Sequence, residues 1–516
     1  MKKMKKIYFF IAALATMTMF SCIDDDSTYA SGDMIKLELG GLEKSYDVVS
    51  FSNDELQLTP TVTTSFAEDD MEYFWAYYDV AKANASNSYS GDTLMCDTIS
   101  HDRNLSYSFN LIDGTYRLLF SARSKSTGYT QTIGTNIVCA SSLSRGFCVL
   151  KEDANGNTDY DLYNPTYGTV TSDVLKSYQG KAMSGKPRCI DVIYQMAYIN
   201  DENDEPSGAN MLCITTEDND YQVIRALDCK TIFTEDNIHY EQVPNEIPYR
   251  FVRGVLTEYF FTNNGVYNCY AYDAMEGSGV LGAFNGNGGS VHMVSCPSAF
   301  NSILYWNNQT SSFEFVDFNG GVFPVASDVD AYETAGMNLN CIACGLCTFG
   351  GEILYFLMQD RSNPSKKYVY YFTADFSGAV LSDVRELADN APFANAERYA
   401  VNGQTAAVAY YLKDNKVYSY NLVDASDADK ELTFKGLPSG EKISYISNRY
   451  FSGDKNFDYL IVGTQTGDTY KVYMYSMIGG DPVGDPEVTF SGNGKLSRIV
   501  YIDPAATDYT LPVLDQ

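Results

Sequence analysis

Short runs of alternating apolar and polar residues recur along this chain, and helix-type spacing is scarce. Glu55-Leu56-Gln57-Leu58-Thr59 and Thr61-Val62-Thr63 alternate with a period of two, the signature of a strand with one covered face. From about Ser144 onward one unit repeats: a hydrophobic strand, a polar turn, and a second strand rich in tyrosine. It occupies 147–163, 212–227, 259–272, 303–318, 353–373, 408–423 and 459–476. Asn263-Asn264-Gly265 and Asp414-Asn415 supply the residues that tight hairpin turns with positive φ require. The turn centres recur roughly every 44 to 63 residues, about the length of one four-stranded propeller blade. The pattern predicts an all-β protein whose repeat domain, 144–516, is a seven-bladed β-propeller with each hairpin in the middle of a blade. The strand 496–501 is expected to close the ring by pairing near Phe147. Six or eight blades, or a pair of sandwiches, are the alternatives.

The first thirty residues have a different pattern. Lys2, Lys3, Lys5 and Lys6 precede an apolar to weakly polar run from Ile7 to Phe20, then Ser21 and Cys22. The run falls short of the roughly twenty residues needed to span a hydrocarbon core, so residues 1–21 read as a signal peptide. Ser21-Cys22 resembles a lipobox, which implies lipidation of Cys22. The acidic stretch that follows, Asp24-Asp25-Asp26 within the tether 22–33, resembles the surface-export signal of Bacteroidetes lipoproteins. On that resemblance the protein is expected at the outer membrane, facing the medium.

Residues 34–140 read as one β-sandwich. Trp75 lies in the middle of the strand 71–78, and Asp113-Gly114-Thr115-Tyr116 leads from a turn into the strand ending at Phe120. A mid-strand Trp with a Tyr at such a corner resembles the immunoglobulin-like, PKD-like family of Bacteroidetes surface lipoproteins. The Gly-Asp-Gly that follows the Trp strand in that family is missing here. Trp75 is expected in the core.

Composition limits the partners. With 66 acidic against 36 basic residues the formal net charge is −30, which excludes nucleic acid as a partner and leaves the lipid as the only link to a membrane. Twelve cysteines, irregularly spaced, read mainly as small buried apolar residues.

Candidate chemistry is sparse. His101, His239 and His292 stand in separate segments without a catalytic motif, and read as structural or exposed. Cys341-x-x-Cys344-x-x-Cys347 has metal-ligand spacing but lacks a fourth ligand, and reads as an inner strand of small residues. Asp153, Asn155, Asn157 and Asp159 alternate like the oxygen ligands of a calcium loop. The glycine falls at Gly156 rather than at the sixth position, however, and Asn164 replaces the closing Glu. Calcium is therefore the one candidate cofactor, and a plain hairpin turn is the other reading. Tyr305 and Trp306 directly precede the Asn307-Asn308 turn, which nominates one ring for stacking on a sugar or a peptide side chain.

The order of lipidated Cys, acidic tether, PKD-like domain and Tyr-rich repeats resembles accessory lipoproteins of SusC/SusD-type importers. The resemblance implies capture of an oligosaccharide or peptide without catalysis. A glycoside hydrolase working through paired carboxylates, or an adhesin, are the other readings.

Overall fold

The computed structural model describes residues 36–504 apart from 51–54, 81–95, 110, 112–113, 202–203, 272–276, 283–284, 425–428 and 453–455. The segment read as a signal peptide, Cys22 and the expected acidic tether thus lie outside the described residues. No helix among the described residues is long and apolar enough to cross a membrane.

The N-terminal domain is a sandwich. Its larger sheet runs Ser45–Val49, Thr130–Ala140, Gly114–Ser124, Met71–Asp79 and Asp97–Ser100, with the first pair parallel and the rest antiparallel. Two short pairs, Leu37–Gly40 with Thr61–Thr64 and Leu56–Leu58 with Leu105–Tyr107, complete the domain. Burial alternates along Gly114–Ser124 because one face of this sheet is covered and the other is wet. Trp75 is fully buried in this core, 4.7 Å from the Phe120 ring, and its Nε1 donates to the Asp102 carbonyl at 3.1 Å.

Between Gly146 and Ile502 the described strands form seven antiparallel meanders in succession. Blade 1 joins the C-terminal strand Lys495–Ile502 to Gly146–Glu152, Thr158–Asn164 and Thr169–Thr171. Blades 2 to 7 begin with the inner strands Pro187–Asn200, Pro248–Arg253, Met293–Cys296, Leu339–Cys347, Arg398–Val401 and Lys442–Phe451 respectively. The seven hairpins expected from the repeat are the second and third strands of the seven blades. Ring closure also follows expectation: Phe147 lies opposite Tyr501 and Val149 opposite Ile499.

A shared apolar cluster joins each blade to the next. Ile190 and Leu212 of blade 2 meet Cys148 and Tyr160 of blade 1. Around the ring, Ile461 and Tyr470 of blade 7 meet Phe147 and Leu496 of blade 1. A sheet held between two neighbours has both faces covered, so its strands are buried at every position, as in Thr257–Thr262 and Ser302–Asn307. Tyrosine suits this place, since its ring fills the gap between blades while the hydroxyl finds a polar partner.

A buried polar network reinforces the closure. Lys151 binds Asp161 at 2.5 Å and Asp173 at 2.7 Å, and the Tyr470 hydroxyl donates to Asp161 at 2.6 Å. A side chain at Gly492 would collide with that hydroxyl and that carboxylate. Arg145 ties the two domains together, at 3.4 Å from Asp47 of the sandwich and 3.0 Å from Asp503 of the closing segment.

Candidate functional site

The inner strands pack against one another around the ring, and several of their polar residues lie toward the end formed by the hairpin tips. Register sets the level. Arg250 lies opposite Phe261, two residues before Asn263, and Arg398 lies opposite Leu412, two residues before Asp414. Arg498 lies opposite Leu150, three residues before Asp153. Asp191 lies opposite Cys213 and Tyr445 opposite Gly463, each of these partners three residues short of its strand's end, and the His292 carbonyl accepts the Trp306 N–H at 3.0 Å.

Six of the thirteen arginines sit on inner strands: Arg188, Arg250, Arg253, Arg398, Arg449 and Arg498. Four are occupied. Arg250 grips both oxygens of Asp191 at 2.5 to 3.1 Å, pinning blade 3 to blade 2. Asp191 also accepts the Phe251 N–H at 3.0 Å. Arg253 binds Glu258 at 2.7 Å. Arg188 donates to the Pro248 carbonyl and to Asn219, and Arg449 to the carbonyls of Asn448 and Ile499. Arg398 and Arg498 are half-buried, and neither guanidinium has a hydrogen bond or an ion pair among the described residues.

These groups feel one another. Burial holds the Arg398 guanidinium below its ordinary pKa; the Tyr445 phenol opposes this and the like charge of Arg498 adds to it. Burial pushes the Cys189 thiol up to about 11, against the pull of Arg250 and Arg498. His292 is pulled down to about 4, first by burial and also by Arg250, so its ring is neutral near pH 7.

The residues singled out by the sequence fall elsewhere. Tyr305 and Trp306 are both fully buried, which corrects their reading as a stacking platform. The Tyr305 hydroxyl donates to Glu314, and Trp306 packs at 5.1 Å against Phe313 in the core between blades 4 and 5. Nearness to a turn suggested exposure, but a blade covered on both sides buries a strand up to its last residue.

The calcium reading is corrected too. Asp153 accepts the backbone N–H groups of Asn155 and Asn157 at 2.8 Å each, so it caps its own turn. Asp159 points inward, accepting the N–H groups of Tyr160, Leu175 and Lys176 beneath the helix Val174–Gln179. Burial pushes Asp159 up to about 6, although those bonds oppose the shift. Two carboxylates committed to separate backbone segments do not form a cation cage. Among the described residues no three His, Cys, Asp or Glu side chains converge on one.

Cys341, Cys344 and Cys347 do lie on an inner strand, of blade 5. Residues three apart on a strand face opposite sides, so Cys344 reaches the Met293 carbonyl of blade 4 and Cys347 the Ala406 carbonyl of blade 6. His101 packs on Phe74, and His239 bonds Glu246 at 3.0 Å.

Two other surface features are present. A recess of about 360 Å³ is lined by Ile199, Thr231, Phe233 and Val280 together with Asp201, whose carboxylate is paired with Lys230 at 2.8 Å. At the end of the ring away from the hairpin tips, the exposed Phe300 lies 4.5 Å from Phe376 and 5.6 Å from Phe318. Neither feature offers an uncommitted charge.

Comparison with known proteins bears mainly on the first third of the chain. A model of the PKD-like family matches residues 22–187. No curated protein matches the sequence. Among solved structures, a quinonprotein alcohol dehydrogenase-like protein from Bacteroides thetaiotaomicron is similar at 14% identity, covering 90% of this chain and 99% of its own, with a TM-score of 0.39. BamB from Moraxella catarrhalis is similar at 9% identity over 75% of this chain and 97% of its own, with a TM-score of 0.27. The WD40 domain of SCAP from fission yeast follows at 8% identity, 70% and 75% coverage and a TM-score of 0.24. The chain is an all-β protein with a PKD-like N-terminal domain ahead of a seven-bladed propeller.

Proposed function

We propose that the protein is a non-enzymatic surface lipoprotein, held to the outer membrane by a lipid on Cys22, that captures a nutrient ligand for a SusC/SusD-type importer. The ligand is an oligosaccharide or a peptide, and it binds at the hairpin-tip end of the propeller. The observation that carries this reading is the hairpin-tip end of the ring, where inner strands of separate blades carry polar side chains and leave two arginines, Arg398 and Arg498, uncommitted. A site assembled from many strands can contact a ligand from all sides, which suits capture. The sandwich, tied to the ring through Arg145, then serves as the spacer between lipid and propeller.

The test uses the intact protein, solubilised in detergent from outer membranes. Importer components are expected to co-purify with it, and Cys22→Ala is expected to abolish labelling by a radioactive fatty acid. Purification without transporter subunits, or turnover of a glycan by the pure protein, would displace the proposal in favour of an adhesin or a hydrolase.

A further inference from the structure

The two uncommitted arginines point to the chemistry of the ligand. Arg398 begins the inner strand of blade 6 and Arg498 lies within that of blade 1, while the inner strand of blade 7 packs against both. Tyr445, on that intervening strand, has its hydroxyl occupied by the Ile499 N–H at 3.0 Å and does not neutralise either cation. Carboxylates close by in sequence are committed elsewhere. Glu397 accepts the Asp414 N–H at 2.9 Å. Glu441 serves Thr464, Lys471 and Tyr473. Asp458 serves Thr405 and Asn448.

In a chain with 66 acidic residues, two half-buried guanidinium groups on inner strands that flank blade 7, each without a carboxylate partner, are a costly arrangement. Each has lost part of its hydration and gained a like charge instead of a partner. A guanidinium presents a planar fork of donors that matches the oxygens of carboxylate, sulfate and phosphate groups. An arriving oxyanion would remove the repulsion and satisfy both forks together.

We propose that Arg398 and Arg498 form an oxyanion-binding site at the hairpin-tip end of the inner strands, which takes a carboxylate or a sulfate or phosphate ester carried by the captured ligand. The assignment deepens the capture reading and rests on it for the identity of the ligand's carrier. The positive site also explains how so acidic a protein can attract an anion, since the local field at a cleft can oppose the net charge.

Calorimetric titration of the intact protein with galacturonate, galactose 6-sulfate, galactose 6-phosphate and galactose tests the proposal. At least one charged sugar is expected to bind, tighter than galactose and more weakly as salt rises. Which of the three binds best identifies the anion. Arg398→Gln and Arg498→Gln are each expected to weaken that binding about tenfold or more. Arg398→Lys is expected to retain part of it, because charge remains but the fork is lost. Unchanged thermal unfolding would exclude misfolding as the cause. The proposal is overturned if no charged sugar binds, or if binding survives both Gln substitutions. Binding of galactose alone, insensitive to them, would overturn it while leaving the capture reading intact.

Discussion

Arg250 and Arg398 hold equivalent stations on the inner ring, each opposite a residue two positions before its hairpin turn. Their surroundings differ completely. Arg250 is buried and held by both oxygens of Asp191, which clamps two blades. Arg398 is half-buried, with the like charge of Arg498 as its electrostatic neighbour. The same residue type at the same level thus serves the fold on blade 3 and is left without a partner on blade 6. Burial and partnering, not residue identity, distinguish these two arginines.

Substitutions that reverse this contrast should act in a clear order. Asp191→Ala removes the carboxylate from a buried guanidinium and is expected to cost about 3–5 kcal/mol, the usual penalty for breaking a buried pair. Urea unfolding followed by circular dichroism checks it, and a cost under about 1 kcal/mol would mean that the clamp does not hold the ring. Trp306→Ala, in the core beside the same ring, is expected to lose about 3 kcal/mol through its cavity, with galacturonate binding unchanged. A loss of binding without a loss of stability would return Trp306 to the site.

His292 contributes a smaller, pH-dependent effect. Its pKa in the folded protein is depressed to about 4 from an ordinary 6.5, so the unfolded chain binds the extra proton first. Its contribution is therefore complete above about pH 6.5 and is lost as pH falls toward 4. His292→Gln should flatten the pH dependence of the urea midpoint in that window by about 1–3 kcal/mol relative to wild type. Parallel profiles would show that the ring charges freely inside the fold. The smallest effect belongs to Arg398→Met, which should leave stability within about 0.5 kcal/mol of wild type or raise it, because no partner is stranded. A loss above about 2 kcal/mol would show that Arg398 has a structural partner after all.

The propeller was legible in the sequence because its signals are local. Asp414 and Asn415 both take the positive φ that their residue types tolerate, at 51° and 61°. Alternation around Leu118 and Phe120 likewise marked a sandwich strand with one wet face. The closing strand could be foreseen because an apolar segment at 496–501 had no hairpin partner of its own. The site was not legible. Arg250, Arg398 and Arg498 are separated by more than a hundred residues in places, and each looks like an ordinary polar position on a strand. Only closure of the ring brings them to one level, and only the carboxylate on Asp191 distinguishes the first from the others. The calcium loop failed for a related reason: alternate residues on a hairpin share a face only until the turn, after which Asp159 belongs to the interior. The available signal was the crowding of arginine onto inner strands in an acidic chain.

Hydrogen–deuterium exchange of the intact protein, with and without saturating galacturonate or galactose 6-sulfate, tests the central claim that ligand binds at the hairpin-tip mouth. Exchange is expected to slow in Arg398–Val401, in the first half of Lys442–Phe451 and in Lys495–Ile502, and to stay unchanged in the sandwich. Protection centred on the sandwich, or on the turns that carry Phe300 and Phe376, would contradict it.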